Sequence, residues 1–208
     1  MTSVLYFHGF ASSPASAKIT SLRPLLAPYG IELDTPDLNV PSFERLDFDA
    51  VVEHALARGR AAPPRAMVGS SLGSLVALAV SRRGIDVPLV LIAPALGVAR
   101  RWSERMPDGD PVMVFNFARG ADVPIHRRFF EQMAVLDVDF DPPPSRVTAI
   151  MGMQDETVPH DVVAETWAKW EVSGALVPGS RLISIPEGDH SLVAHTEVIR
   201  DAIVGAVR

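Results

Sequence analysis

The sequence predicts an α/β protein: one domain built on about six mostly parallel strands, with helices on both faces. Three observations predict it. Short apolar runs alternate along the chain with stretches of helical period, the pattern left by repeated βαβ crossovers. The 208 residues suit one compact domain, and a hydrophobic content of 48% supplies one sizeable core. Finally, Gly69-Ser70-Ser71-Leu72-Gly73 falls where an expected strand turns into an expected helix.

Taken in order, Val4 to Phe7 reads as a buried strand. Ser16 to Ala27 then reads as a helix carrying Ile19, Leu22, Leu25 and Leu26 inward, with Ser12 and Ser13 turning the loop before it and capping it. A weaker strand near Ile31 to Leu33 ends at Pro36. The second helix is expected from about Ser42, its cap, with Arg45 rather than Glu at the third helical position, and it buries Phe43, Leu46, Val51, Val52 and Leu56. Arg65 to Gly69 is another buried strand, and Leu72 to Val80 follows as a helix apolar almost all round, which suggests burial against the sheet. Strand Val87 to Ala93 comes next. Val147 to Met153 forms a further strand, and Pro159 to Glu171 a helix begun by a proline in its first turn. Strand Arg181 to Ile185 and helix Val193 to Val207 close the chain. Such regular alternation calls for right-handed crossovers in one sheet.

The interruption is Gly97 to Arg146, with Trp102, Phe115, Phe117 and a helical-looking Arg127 to Met133. Long insertions in compact domains often serve as lids or binding loops. Aromatics mixed with acidic and Pro-rich loops fit no single amphipathic helix, so residues 97–146 read as a small cap-like insert within the single domain 1–208. A helix and connection of the ordinary βαβ pattern is the plainer alternative. Asp137, Asp139 and Asp141 read as a solvated acidic stretch.

Composition removes several chemistries. With no cysteine the chain has no disulfide framework, no thiolate zinc site and no cysteine nucleophile. The net charge of −6 comes with Arg pairs such as Arg100-Arg101 that are scattered rather than clustered, so no nucleic-acid footprint is expected. Val87 to Ala99 is too short to span a bilayer and contains Pro88 and Pro94, so no membrane partner is expected either. The Met1-Thr2-Ser3 start has no basic segment or long apolar core of a secretory signal, and a cytoplasmic location is the expectation. No metal-ligand spacing, dinucleotide fingerprint or Walker pattern occurs, so no cofactor and no metal are expected.

The chemistry is expected at Ser71. A sharp strand-to-helix turn forces its central residue into strained backbone geometry and lifts that side chain clear of the sheet, while Gly69 and Gly73 leave room for the neighbouring chain. The Leu72 N–H then opens a helix, where unsatisfied donors and the helix dipole favour a developing oxyanion. A serine hydroxyl needs a general base held by a further acceptor. His190, in the turn-rich Pro186-Glu187-Gly188-Asp189-His190-Ser191 after the last strand, suits the base. Asp155, closing the preceding strand, suits the orienting acid. Glu156 should point away from that base, and Asp189 cannot easily fold back to its neighbour's Nδ1. His54, His160 and His195 fall in or at expected helices and read as structural.

The order Ser, Asp, His, together with His8-Gly9, the Gly69 to Gly73 segment and Gly188-Asp189-His190, resembles the α/β-hydrolase superfamily over essentially the whole chain. The opening Tyr6-Phe7-His8-Gly9-Phe10-Ala11-Ser12-Ser13-Pro14-Ala15-Ser16-Ala17-Lys18 looks like the small YqiA-like esterases. The resemblance implies the compact α/β-hydrolase fold, and a second oxyanion donor at the Phe10 N–H, with His8 bracing the loop. It also implies hydrolysis of short or activated acyl esters, or of thioesters, as small-molecule substrates without a cofactor. Amide, peptide or carbon–carbon cleavage on the same triad, and a binding module without turnover, remain alternatives.

Overall fold

In β1 (Thr2–Phe7) the side chains of Val4 and Tyr6 turn to one face and those of Leu5 and Phe7 to the other, and all four are buried. That period of two with both faces covered is the mark of a central parallel strand. The fold is taken from a computed structural model, which describes residues 1–98, 102 and 108–208; the Arg100-Arg101 pair and part of the insert lie outside them.

β1 is joined by β2 (Ile31–Asp34), β3 (Ala66–Ser70), β4 (Leu89–Ile92), β7 (Val147–Gly152) and β8 (Arg181–Ile185) in one sheet. The spatial order is β2-β1-β3-β4-β7-β8 and every pairing is parallel. β5 (Val112–Asn116) and β6 (Ala121–Ile125) form a separate antiparallel hairpin. The six expected sheet strands are present, each within two residues of its expected ends.

Two helices cover one face: α1 (Ala17–Leu26) brings Ile19, Leu22 and Leu26, and α6 (Thr196–Val207) brings Ile199 and Ile203, onto Val4, Tyr6, Val68, Val90 and Ile150. The opposite face carries α2 (Phe48–Ala61), α3 (Leu72–Arg82), the short α4 (Arg128–Ala134) and α5 (His160–Ser173). As its all-round apolar sequence requires, α3 is buried nearly throughout.

Three expectations are corrected. α2 begins at Phe48, not Ser42, because the Asp47 carboxylate accepts the Ala50 N–H at 3.1 Å and is the stronger cap; Ser42 Oγ only closes a turn with the Arg45 N–H. Phe43 and Leu46 are buried nonetheless, from the loop. Ser13 turns its loop by accepting the Ala15 N–H, but no side chain caps α1. Asp139 is not solvated: it is buried, accepts the Gly97 N–H at 2.5 Å, and its carbonyl accepts the Trp170 indole N–H. Asp137 and Asp141 are exposed, as expected.

Candidate active site

Ser71 stands between β3 and α3 with φ 53° and ψ −119°, a region that side-chain-bearing residues rarely occupy and that costs on the order of 1–3 kcal/mol. The turn is held by its own backbone. The Ser71 N–H donates to the Ile92 carbonyl, its carbonyl accepts the Ser74 N–H, and Ser74 Oγ returns to the Gly69 carbonyl, all at 2.9 Å. A Cβ on Gly69 would overlap the Gly73 carbonyl, and one on Gly73 would overlap the backbone of Phe7 and His8, so only glycine allows strand, turn and helix to approach this closely.

Asp155 and His190 arrive from the ends of β7 and β8. Asp155 Oδ1 accepts the Thr157 and Val158 N–H groups at 2.9 and 2.7 Å, and its Oδ2 meets His190 Nδ1 at 2.7 Å. With Nδ1 donating to the buried carboxylate, the lone pair of a neutral imidazole lies at Nε2. The two loops touch at Gly152 and Gly188, where a Cβ on Gly152 would overlap the Gly188 carbonyl. Asp189 turns away from the imidazole and accepts Ser191 Oγ and the Leu192 N–H, contacts that hold its carboxyl below the usual range. Ser71 and His190 line one cavity of about 630 Å³. His54 is exposed on α2, His160 opens α5, and His195 ends the short 3-10 turn Val193–His195; none of the three lines that cavity.

The loop after β1 lies against Ser71: a Cβ on Gly9 would stand 3.3 Å from Ser71 Cβ. Phe10 fastens this loop from the other side, its ring stacked on Phe129 at 5.5 Å and packed on Phe43 and Trp102. His8 is buried; its Nδ1–H donates to the Gly9 carbonyl and its Nε2 accepts the Leu38 N–H, and burial lowers its pKa, which favours this neutral tautomer. Leu72, the other expected oxyanion donor, is the first residue of α3.

Sequence reasoning missed a second group of polar side chains in the cavity. Lys18, Tyr6 and Ser70 line it, and all three are buried. Lys18 Nζ donates to Ser70 Oγ at 2.9 Å. Burial lowers the Lys18 pKa to about 8 against the opposing pull of the Asp155 and Asp189 carboxylates. Burial also raises the Tyr6 phenol against the opposing effect of the Ser70 hydroxyl, and the Tyr6 Oη is fully buried. The legible signal was Lys18 itself, four residues before Leu22 and eight before Leu26 on the inward stripe of α1. Phe117, from the turn of the β5–β6 hairpin, also lines the cavity while 75% exposed.

The sequence profile described as uncharacterised protein family UPF0227 matches residues 3–175. No curated protein matches the chain. Among solved structures, a hydrolase candidate from Agrobacterium vitis S4 superposes with a TM-score of 0.80 at 19% identity, covering 100% of this chain and 88% of that one. The α/β hydrolase domain-containing protein 10 from mouse gives 0.74 at 19% identity over 97% of this chain and 87% of its own. An esterase domain from a Rhodothermus marinus protein gives 0.72 at 17% identity over 100% and 88%. These likenesses establish the α/β-hydrolase fold.

Proposed function

The chain belongs to the uncharacterised protein family UPF0227, a YqiA-like family with the α/β-hydrolase fold, and from that premise we propose that it is a serine hydrolase cleaving carboxylic esters or thioesters through an acyl-enzyme on Ser71. One observation carries the reading. The Asp155–His190 contact of 2.7 Å opens onto the same cavity as a serine held at positive φ. The hydrolase and esterase names of the structural neighbours support the reaction class.

In this mechanism Ser71 Oγ attacks the substrate carbonyl carbon and its proton passes to His190 Nε2. Asp155, buried and braced by two N–H groups, stabilises the imidazolium that forms. The carbonyl oxygen, now an oxyanion, takes the N–H groups of Phe10 and Leu72. Collapse breaks the bond to the leaving oxygen or sulfur, which receives the proton from His190. Water then adds to the acyl-enzyme with His190 again taking the proton, and the carboxylic acid leaves while Ser71 recovers its hydrogen. Every step transfers an electron pair or a proton, so the chain's own residues suffice.

The test is a fluorescent fluorophosphonate probe and short-chain p-nitrophenyl esters, applied to the protein and to Ser71→Ala. Labelling and turnover are expected in the parent, with labelling absent and kcat at least about 10³-fold lower in the variant. A folded parent that neither labels nor turns over would put a binding module in its place, and a clear preference for amides over esters would move the activity to another bond.

A further inference from the structure

A buried ammonium is costly unless its charge is matched and its three N–H groups are used. Lys18 Nζ has one hydrogen bond, to Ser70 Oγ, and among the described residues it makes no ion pair. Asp155 and Asp189 influence it from a distance, but their oxygens are engaged by His190, Thr157, Val158, Ser191 and Leu192. Beside it the Tyr6 Oη is fully buried, and its polar neighbour is the Ser70 hydroxyl. Two unspent ammonium donors thus lie at the wall of the cavity that holds Ser71, beside Tyr6 and Ser70, and Lys18 is the only Lys or Arg among its described lining residues.

We infer that Lys18, Tyr6 and Ser70 form an anion-binding subsite, and that the ester cleaved at Ser71 carries a carboxylate on its acyl chain. The inference rests on the hydrolase reading above and adds a substrate class to it. A carboxylate seated here gives Lys18 a counter-charge in direct contact, which the more distant Asp155 and Asp189 carboxylates do not, and the Tyr6 O–H can turn from Ser70 to it. Charge-assisted contacts of this kind are the strong ones, and they are worth most where water is excluded. Because Ser70 adjoins Ser71, the anion would sit roughly 5–8 Å from the attacking oxygen, which about three to five covalent bonds span. Half-esters of short dicarboxylic acids have that spacing. Asp189 and Glu156 also line the cavity, but both are exposed, and ionic screening weakens their repulsion.

The experiment compares two esters with the same five-carbon acyl chain, p-nitrophenyl valerate and mono-p-nitrophenyl glutarate, on the parent, Lys18→Met and Tyr6→Phe. Methionine keeps the length of the lysine stem, so the buried site stays filled, and a thermal melt checks each fold. The parent is expected to favour the glutarate ester. That preference, the ratio of the two kcat/KM values, should fall about tenfold or more in Lys18→Met and by less in Tyr6→Phe. An unchanged ratio, or an equal loss on both esters, would overturn the inference and leave Lys18 as a brace for Ser70. If the parent turns over neither ester the hydrolase reading fails by itself, and calorimetric titration of glutarate into the parent and Lys18→Met decides the subsite. Binding weakened at least tenfold by the substitution upholds it, whereas no binding, or equal binding, rejects it.

Discussion

At Lys18 the burial of a charge and its use in the cavity act against each other. Its pKa is 10.5 in an open chain and about 8 in the fold, so between those values the unfolded state holds more of the proton. Stability therefore rises as pH climbs from about 8 to 10.5, and below 8 the folded state bears the whole cost, at most about 3 kcal/mol. Lys18→Met should accordingly be more stable than the parent at pH 7 by up to that amount, with the gain shrinking toward pH 10. Urea denaturation at the two pH values reads this directly; equal stability at pH 7 would mean that the ammonium is already satisfied. Ser71 is a comparable case in backbone form, where a strained φ is retained by the hydrogen bonds around it.

Among the elements, the β5–β6 hairpin is the least expected, and its tip reaches the cavity. Asn116 Oδ1 accepts the Arg119 N–H and Gly120 takes φ 65°, so the chain reverses over residues 116–120 and presents Phe117 outward. We propose that the hairpin acts as the substrate-facing part of the cap-like insert. Because Phe117 is three-quarters exposed, Phe117→Ala should hardly change the melting temperature. It should raise KM for octanoyl esters by about three- to tenfold, through lost apolar contact, while leaving acetyl esters within about twofold. A KM shift of the same size for both chain lengths would remove the hairpin from substrate binding. The exposed Met113 and Phe115 on the same hairpin extend this apolar surface.

For the molecule as a whole, every part of the site lies at the carboxyl ends of the parallel strands. So does the backbone strain: Ala11, Ser71, Ala93 and Leu192 all take positive φ in the turns that leave β1, β3, β4 and β8. Two glycine contacts bring these turns together, Gly73 on the Phe7 carbonyl and Gly152 on the Gly188 carbonyl. Gly152→Ala would push the β7 and β8 loops apart and with them Asp155 and His190. Turnover should fall at least about 10²-fold, because misplacement by about 1 Å has that effect, and stability should fall by about 1–3 kcal/mol. A variant with normal ester turnover would show that the two loops tolerate separation.

The sequence alone determined the order of the six parallel strands and of the helices between them, and it singled out Ser71, Asp155 and His190, of which Ser71 and His190 line one cavity and Asp155 bonds to His190. Its apolar periods and turn residues are local signals, and a parallel sheet gathers its strand ends on one side whatever the loops contain. The true start of α2 was masked because Ser42 and Asp47 are both able caps and their competition is settled by packing. Asp139 was misread for a similar reason: its acidic neighbours suggest solvent, and only the folded chain brings Gly97 to it. Nor could Lys18 be given a role beforehand, since a lysine on an apolar stripe can snorkel to water or be trapped. The tertiary structure decided that it is trapped, by closing α1 over Tyr6 and Ser70. Cost and partners at such a position depend on atoms distant in sequence, and only the folded chain brings those atoms together.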